Sequence, residues 1–98
     1  MALRVLVTPR AGRDLREIRA FMLERNPAAA DRIRNRIFNV LRRLADFPLT
    51  GATTGKNNVR VAQLKEYPYR IFYIVGSDAI EVVHIRHTSR QPLNPSDI

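Results

Sequence analysis

Two runs of β-branched and aromatic residues, separated by three residues of turn chemistry, constrain this chain more than any other feature. Tyr69 to Val75 and Ile80 to Ile85 flank Gly76-Ser77-Asp78. That pattern predicts a β-hairpin with a short loop. Both runs are apolar on both faces, as central strands covered on at least one side are. Side chains alternate along a strand. Alternation places Arg70 with Phe72 and Ile74, and His84 and Arg86 with Ile80 and Val82. Polar and basic groups then gather where the second strand runs out, at His84, Arg86, His87 and Arg90.

The rest of the chain supplies what such a hairpin needs for cover. Leu3 to Val7 reads as a short strand. Thr8-Pro9 is an N-cap and first helical residue, and a helix to about Arg25 carries the stripe Ala11, Leu15, Ile18 and Met22 at amphipathic spacing. Asn26-Pro27 ends that helix and caps the next. The second helix runs to about Ala45 with Ala30, Ile33, Ile37, Val40, Leu41 and Leu44 on one side. So short a turn makes the two helices antiparallel neighbours. Pro48 to Asn58 reads as a connecting loop; its GATTGK lacks the spacing and following Ser/Thr of a phosphate-binding loop. Val59 to Leu64 is a third strand before the hairpin. The expected class is α+β: an N-terminal strand, an antiparallel helical hairpin, then a three-stranded antiparallel meander, all in one sheet with the helices on one face. The 98 residues make one domain, with a tail from about residue 88.

Composition narrows the function. The net charge is +8, and 15 of the 17 basic residues are arginine, whose planar fork pairs with carboxylate or phosphate. An anionic partner is expected. Residues 1–50 hold eleven basic and five acidic residues against six and four in 51–98, so anion binding is not confined to the hairpin. With no cysteine there is no disulfide or thiolate site, and no ligand cluster suggests a metal or other cofactor. No apolar run is long enough to span a membrane, and no signal peptide is evident, so the expected compartment is the cytoplasm. A small-molecule substrate is not expected either.

Hydrolysis by general acid–base chemistry would fall to His84 and His87, with Arg70 and Arg86 stabilising charge. The carboxylates do not cluster near the strand ends in the sequence. Binding is therefore the better-supported chemistry, with no catalytic residue assigned. Two apolar residues, Leu23 and Phe38, fall off the helical stripes at about 100° per residue. They suggest a partner-facing patch, with Arg19, Arg34 and Arg42 meeting carboxylates.

The segments TPRAGRDLREIRAFM, NPAAADRIRNRI, LADFPLTG, YPYRIFYIV and IEVVHIRHTSR, in that order, resemble the ParE branch of the RelE/ParE toxin superfamily from bacterial toxin–antitoxin modules. The resemblance covers about Val5 to Arg90. It implies a small basic toxin neutralised by an acidic, ParD-like antitoxin that wraps it with a helix and an extended segment. ParE-like members block DNA gyrase, and RelE-like members cut messenger RNA on the ribosome. RelE-like nucleases usually carry a tyrosine near the C-terminus. None stands between His87 and Pro92 here, and His87 and Arg90 match the His-x-x-Arg ending of ParE-like chains. The resemblance therefore implies gyrase as target; the basic charge gathered where strands end and loops begin suggests Arg70, Arg86, His87 and Arg90 as the residues that touch it. The alternatives are a ribosome-dependent endoribonuclease and a non-toxic nucleic-acid-binding module.

Overall fold

The computed structural model describes residues 2–88. Strand β1 (Arg4–Val7) leads into helices α1 (Pro9–Arg25) and α2 (Pro27–Asp46). A 3₁₀ turn over Pro48–Thr50 follows, then β2 (Ala52–Thr53), β3 (Val59–Gln63), β4 (Tyr69–Val75) and β5 (Ala79–His87). One five-stranded sheet results, in the order β1-β5-β4-β3-β2. The last four strands form an antiparallel meander, and β1 closes the sheet by pairing parallel to β5. The α+β architecture matches the expected one. The 48–58 segment does not remain a plain loop, because Ala52 and Thr53 pair with Val61 and Arg60 and add an edge strand.

Local chemistry explains the helix boundaries. The Thr8 hydroxyl accepts from the Ala11 N–H at 3.2 Å, and Pro9 follows it. The Asn26 N–H donates to the Met22 carbonyl at 2.7 Å, closing α1. The Asn26 side chain accepts from the Ala29 N–H and opens α2. One residue thus ends one helix and starts the next. The stripes face inward as their spacing requires: Ile33, Ile37 and Leu41 are buried with Ile71, Val82 and Ile85, and Leu15, Ile18 and Met22 pack against them. Among the described residues no helix lies on the other face of the sheet.

The hairpin departs from simple alternation at one point. Tyr73 pairs with Val82, but the preceding Phe72 pairs with His84, so Val83 is an extra residue and β5 carries a β-bulge. The bulge inverts the phase of everything after it. Directly paired residues share a face. His84 and Arg86 therefore lie with Phe72 and Arg70 on the helix-free face, not with Ile80 and Val82 as strict alternation places them.

Tyr73 ties the meander to the end of α2. It is fully buried, its hydroxyl donates to the Pro48 carbonyl at 2.7 Å, and it accepts from the Gly51 N–H at 3.0 Å. Position 51 has no room for a side chain: a Cβ there would lie 2.3 Å from the Tyr73 oxygen. Tyr73→Phe leaves both backbone groups without this partner and should cost about 1–3 kcal/mol, measured by urea unfolding. Burial also holds the phenol above its ordinary pKa, against the smaller opposing pulls of the Gly51 N–H and Arg60. An unfolded tyrosine ionises near pH ~10 while the native one keeps its proton. Stability should therefore fall as pH rises past about 10, and Tyr73→Phe should remove that component of the alkaline loss.

Candidate functional site

β5 outruns its parallel neighbour. β1 ends where Val7 pairs with Val82, and among the described residues no strand lies along the outer edge of residues 83–87. The start of α1 covers this edge. The Thr8 N–H and hydroxyl both donate to the Val82 carbonyl, at 3.1 and 3.0 Å. Six residues on, an Asp14 carboxylate oxygen accepts from the Ile85 N–H at 3.0 Å, doing what a ladder carbonyl would do.

The same Asp14 oxygen lies 2.5 Å from Nδ1 of His84, the one charged or polar residue among the buried residues described, at 3% exposure. The other ring nitrogen, Nε2, is approached by Arg10 at 3.4 Å and Arg86 at 3.3 Å. A guanidinium only donates. These contacts are hydrogen bonds only when Nε2 carries a lone pair, which puts the ring proton on Nδ1, facing Asp14. His84 is a strut between a carboxylate on α1 and two guanidiniums. Among the described residues no buried side-chain polar atom lacks a partner.

Arg70 stands beside this cluster, opposite Arg86 in the β4–β5 register, with its Nε donating to Gln63 at 3.1 Å. The structure therefore unites Arg70 and Arg86. His87 points to the opposite face, edge-on to the Tyr69 ring at 5.3 Å between centroids. Arg90 lies outside the described residues. The two histidines, considered together for acid–base chemistry, do not converge. Arg10 and Asp14 were missed by sequence reasoning, which saw no carboxylate near the strand ends. A signal was there: Asp14 falls three residues after buried Ala11, on the inward side of α1, where a charge needs a partner.

A second surface lies between the helices. Arg19, Arg34 and Phe38 line a groove of about 130 Å³ floored by Leu15, Ile33 and Ile37. Phe38 and Leu23 are exposed to 41% and 42%. The Arg34 guanidinium sits over the Phe38 ring at 5.2 Å. Arg42 donates to Asn39 on the exposed side of α2. Leu23 is not part of the groove lining. Among the described residues no group of three or more histidine or acidic side chains could hold a metal ion, and no helix is long and apolar enough to cross a membrane.

Such a sheet, closed by its first strand and covered on one face by a basic helical hairpin, is the fold of the RelE/ParE toxins. The family model described as ParE toxin of type II toxin-antitoxin system, parDE, matches residues 5–92, and the chain belongs to that family. It is 33% identical over 81 residues to toxin RelE3 of Caulobacter vibrioides, covering 82% of this chain and 88% of that one. Its fold is similar to a chain of the chromosomal ParDE toxin–antitoxin system from P. aeruginosa, with a TM-score of 0.78 at 20% identity, covering 90% of this chain and 98% of that one. It is also similar to a chain of the RelBE2 toxin–antitoxin complex from Mycobacterium tuberculosis, with a TM-score of 0.59 at 20% identity and coverages of 89% and 99%.

Removing the Asp14 carboxylate should loosen the end of β5. Asp14→Ala strips an acceptor from both His84 and the Ile85 N–H, and should cost roughly 1.5–3 kcal/mol, the range for hydrogen bonds to a charged group. Asp14→Asn keeps one acceptor oxygen and should cost less. Urea midpoints at unchanged m-value check both, and equal midpoints for wild type and Asp14→Ala would show that the contact contributes nothing.

Proposed function

We propose that this toxin acts in the cytoplasm by binding DNA gyrase rather than by cutting messenger RNA, and that an acidic antitoxin silences it. The supporting observation is the state of His84. Its ring is buried, with Nδ1 against Asp14 and Nε2 against Arg10 and Arg86. The group best suited by type to neutral-pH proton transfer is thus committed to holding other side chains. His87, on the opposite face, cannot share a substrate with it. Arg70 and Arg86 form a surface for contact with a target instead. Expression without antitoxin should inhibit supercoiling by purified gyrase and leave messenger RNA intact in a translating extract. Cleavage in the ribosomal A site, lost in Arg86→Ala, would establish the endoribonuclease alternative.

The antitoxin fits the groove between α1 and α2. The solved relatives named above come from a ParDE system and a RelBE2 toxin–antitoxin complex. Here an apolar floor lies below exposed Phe38, with Arg19 and Arg34 at the rim, and Leu23 and Arg42 extend the patch along the helices. A helix that is apolar on one side and acidic on the other matches it in both respects. Phe38→Ala should weaken antitoxin binding by about 1–3 kcal/mol in calorimetry while leaving the melting temperature unchanged. Unchanged affinity would remove Phe38 from the interface; a large fall in melting temperature would make it part of the core.

A further inference from the structure

In a chain of net charge +8, one carboxylate on the helix-free face has no cation beside it. Glu81 is half-buried on β5 and makes no hydrogen bond or ion pair among the described residues. Its neighbours on that face are apolar: Leu6 opposite it on β1 and Ile74 opposite it on β4. The three line a shallow hollow of about 260 Å³, and Leu6 is 44% exposed. Asp78, at the same hollow, is already paired with Arg4 at 3.2 Å. Arg70 lies on the same face of β4, four residues or about 13 Å from Ile74. It is exposed, and among the described residues only its Nε is engaged, by Gln63. Arg86, opposite Arg70, adds charge of the same sign at that end. Phe72 on β4 and Val61 opposite it on β3 lie between the two ends. The face is thus acidic at one end, basic at the other and apolar in the middle.

We propose that the helix-free face binds a second copy of this chain, with Glu81 of each copy against Arg70 of the other across a two-fold axis. Charge selects the axis. An axis along the strands would lay basic end over basic end. An axis across the strands, at the level of Phe72, reverses the strand direction and brings each Glu81 to the level of the other copy's Arg70. Stacked sheets keep their strand axes within about 30° of each other, which this antiparallel stacking allows. Each contact then occurs twice, as a two-fold interface requires. Leu6, Ile74 and Val61 lose their remaining exposure to water, which adds a hydrophobic contribution to the charge pairs. Large apolar side chains are few on this face, so the dimer is reversible rather than obligate. That it also keeps Arg70 from a target rests on the reading above; self-association does not, and is measured without any target.

Sedimentation equilibrium of the full-length chain, free of antitoxin, measures the association. Wild type should pass reversibly from monomer to dimer as concentration rises, and less readily at high salt. Glu81→Arg sets like charges together at both symmetric contacts and should weaken the dimer about a hundredfold, roughly tenfold per contact. Arg70→Glu should do the same. The exchange Arg70→Glu/Glu81→Arg restores opposite charges and should recover wild-type association, which a merely structural role of either residue would not produce. Asp31→Arg makes the same change in net charge at an exposed position of α2 and should leave the dimer intact. A chain that stays monomeric at every concentration overturns the proposal. So does an exchange variant that remains dissociated, or a loss in Asp31→Arg equal to that in Glu81→Arg. Phe38→Ala weakening the association as much as Glu81→Arg would move the contact to the helical side and overturn it as well. Antitoxin binding that is lost in Glu81→Arg, without self-association of wild type, would overturn it by giving the face to the antitoxin.

Discussion

The carboxylate of Asp14 lies where three demands meet. β5 needs a partner for its outer edge once β1 has ended, and a buried backbone N–H without one costs about 1–3 kcal/mol. Asp14 meets that demand at Ile85 and, through the same oxygen, orients His84. Because it sits on α1, it also fixes the start of that helix against the strand, beside the two bonds Thr8 makes to Val82. With the helix start fixed there, α1 and α2 lie across a single face of the sheet. Further along, the Leu3 N–H donates to the Ala45 carbonyl at 2.9 Å and binds β1 to the end of α2. First and last strands are thus joined both directly and through the helices.

Most of the fold was legible because its signals are local. Thr8-Pro9 and Asn26-Pro27 carry capping chemistry that needs no tertiary context, and both helices begin where those pairs place them. Phe38 and Leu23 fall off the stripes in the sequence and are exposed in the structure. The paired edge strand Ala52–Thr53 was not legible, since two residues are too few to show a period and a Gly- and Thr-rich segment looks like a connector. The bulge was hidden for a related reason. Val82 and Val83 are equally good strand residues, and nothing in IEVVHIRH marks which one goes unpaired.

That single unpaired residue decides what the basic strand end can do. Had alternation continued, His84 and Arg86 would have followed Ile80 and Val82 under the helices, where a guanidinium would face the apolar core at high cost. The inverted phase instead buries Ile85 there at 3% exposure and turns Arg86 toward Arg70 and Arg10. His84 remains buried despite facing outward, because the carboxylate and the two guanidiniums close over it. The apolar pattern of the strand is satisfied on both sides of the bulge. The register shift is thus what reconciles an apolar core with a polar cluster on one nine-residue strand.

The two basic surfaces consequently lie on opposite sides of the sheet. The groove with Phe38, Arg19 and Arg34 belongs to the helical side, and Arg10, Arg86 and Arg70 to the helix-free side. An antitoxin helix seated in the groove, as proposed, lies on the side of the sheet away from the second surface. An antitoxin that silences the toxin by direct occlusion must therefore reach around an edge of the sheet with an extended segment. An antitoxin confined to the groove would have to act otherwise, through its charge or by steric exclusion of a large target. Screening makes the first of these weak: at physiological salt a Debye length of about 8 Å separates the effects of the two sides. On the proposed reading, two of the three routes then remain: a segment that crosses the sheet edge, or a target too large to approach one side alone.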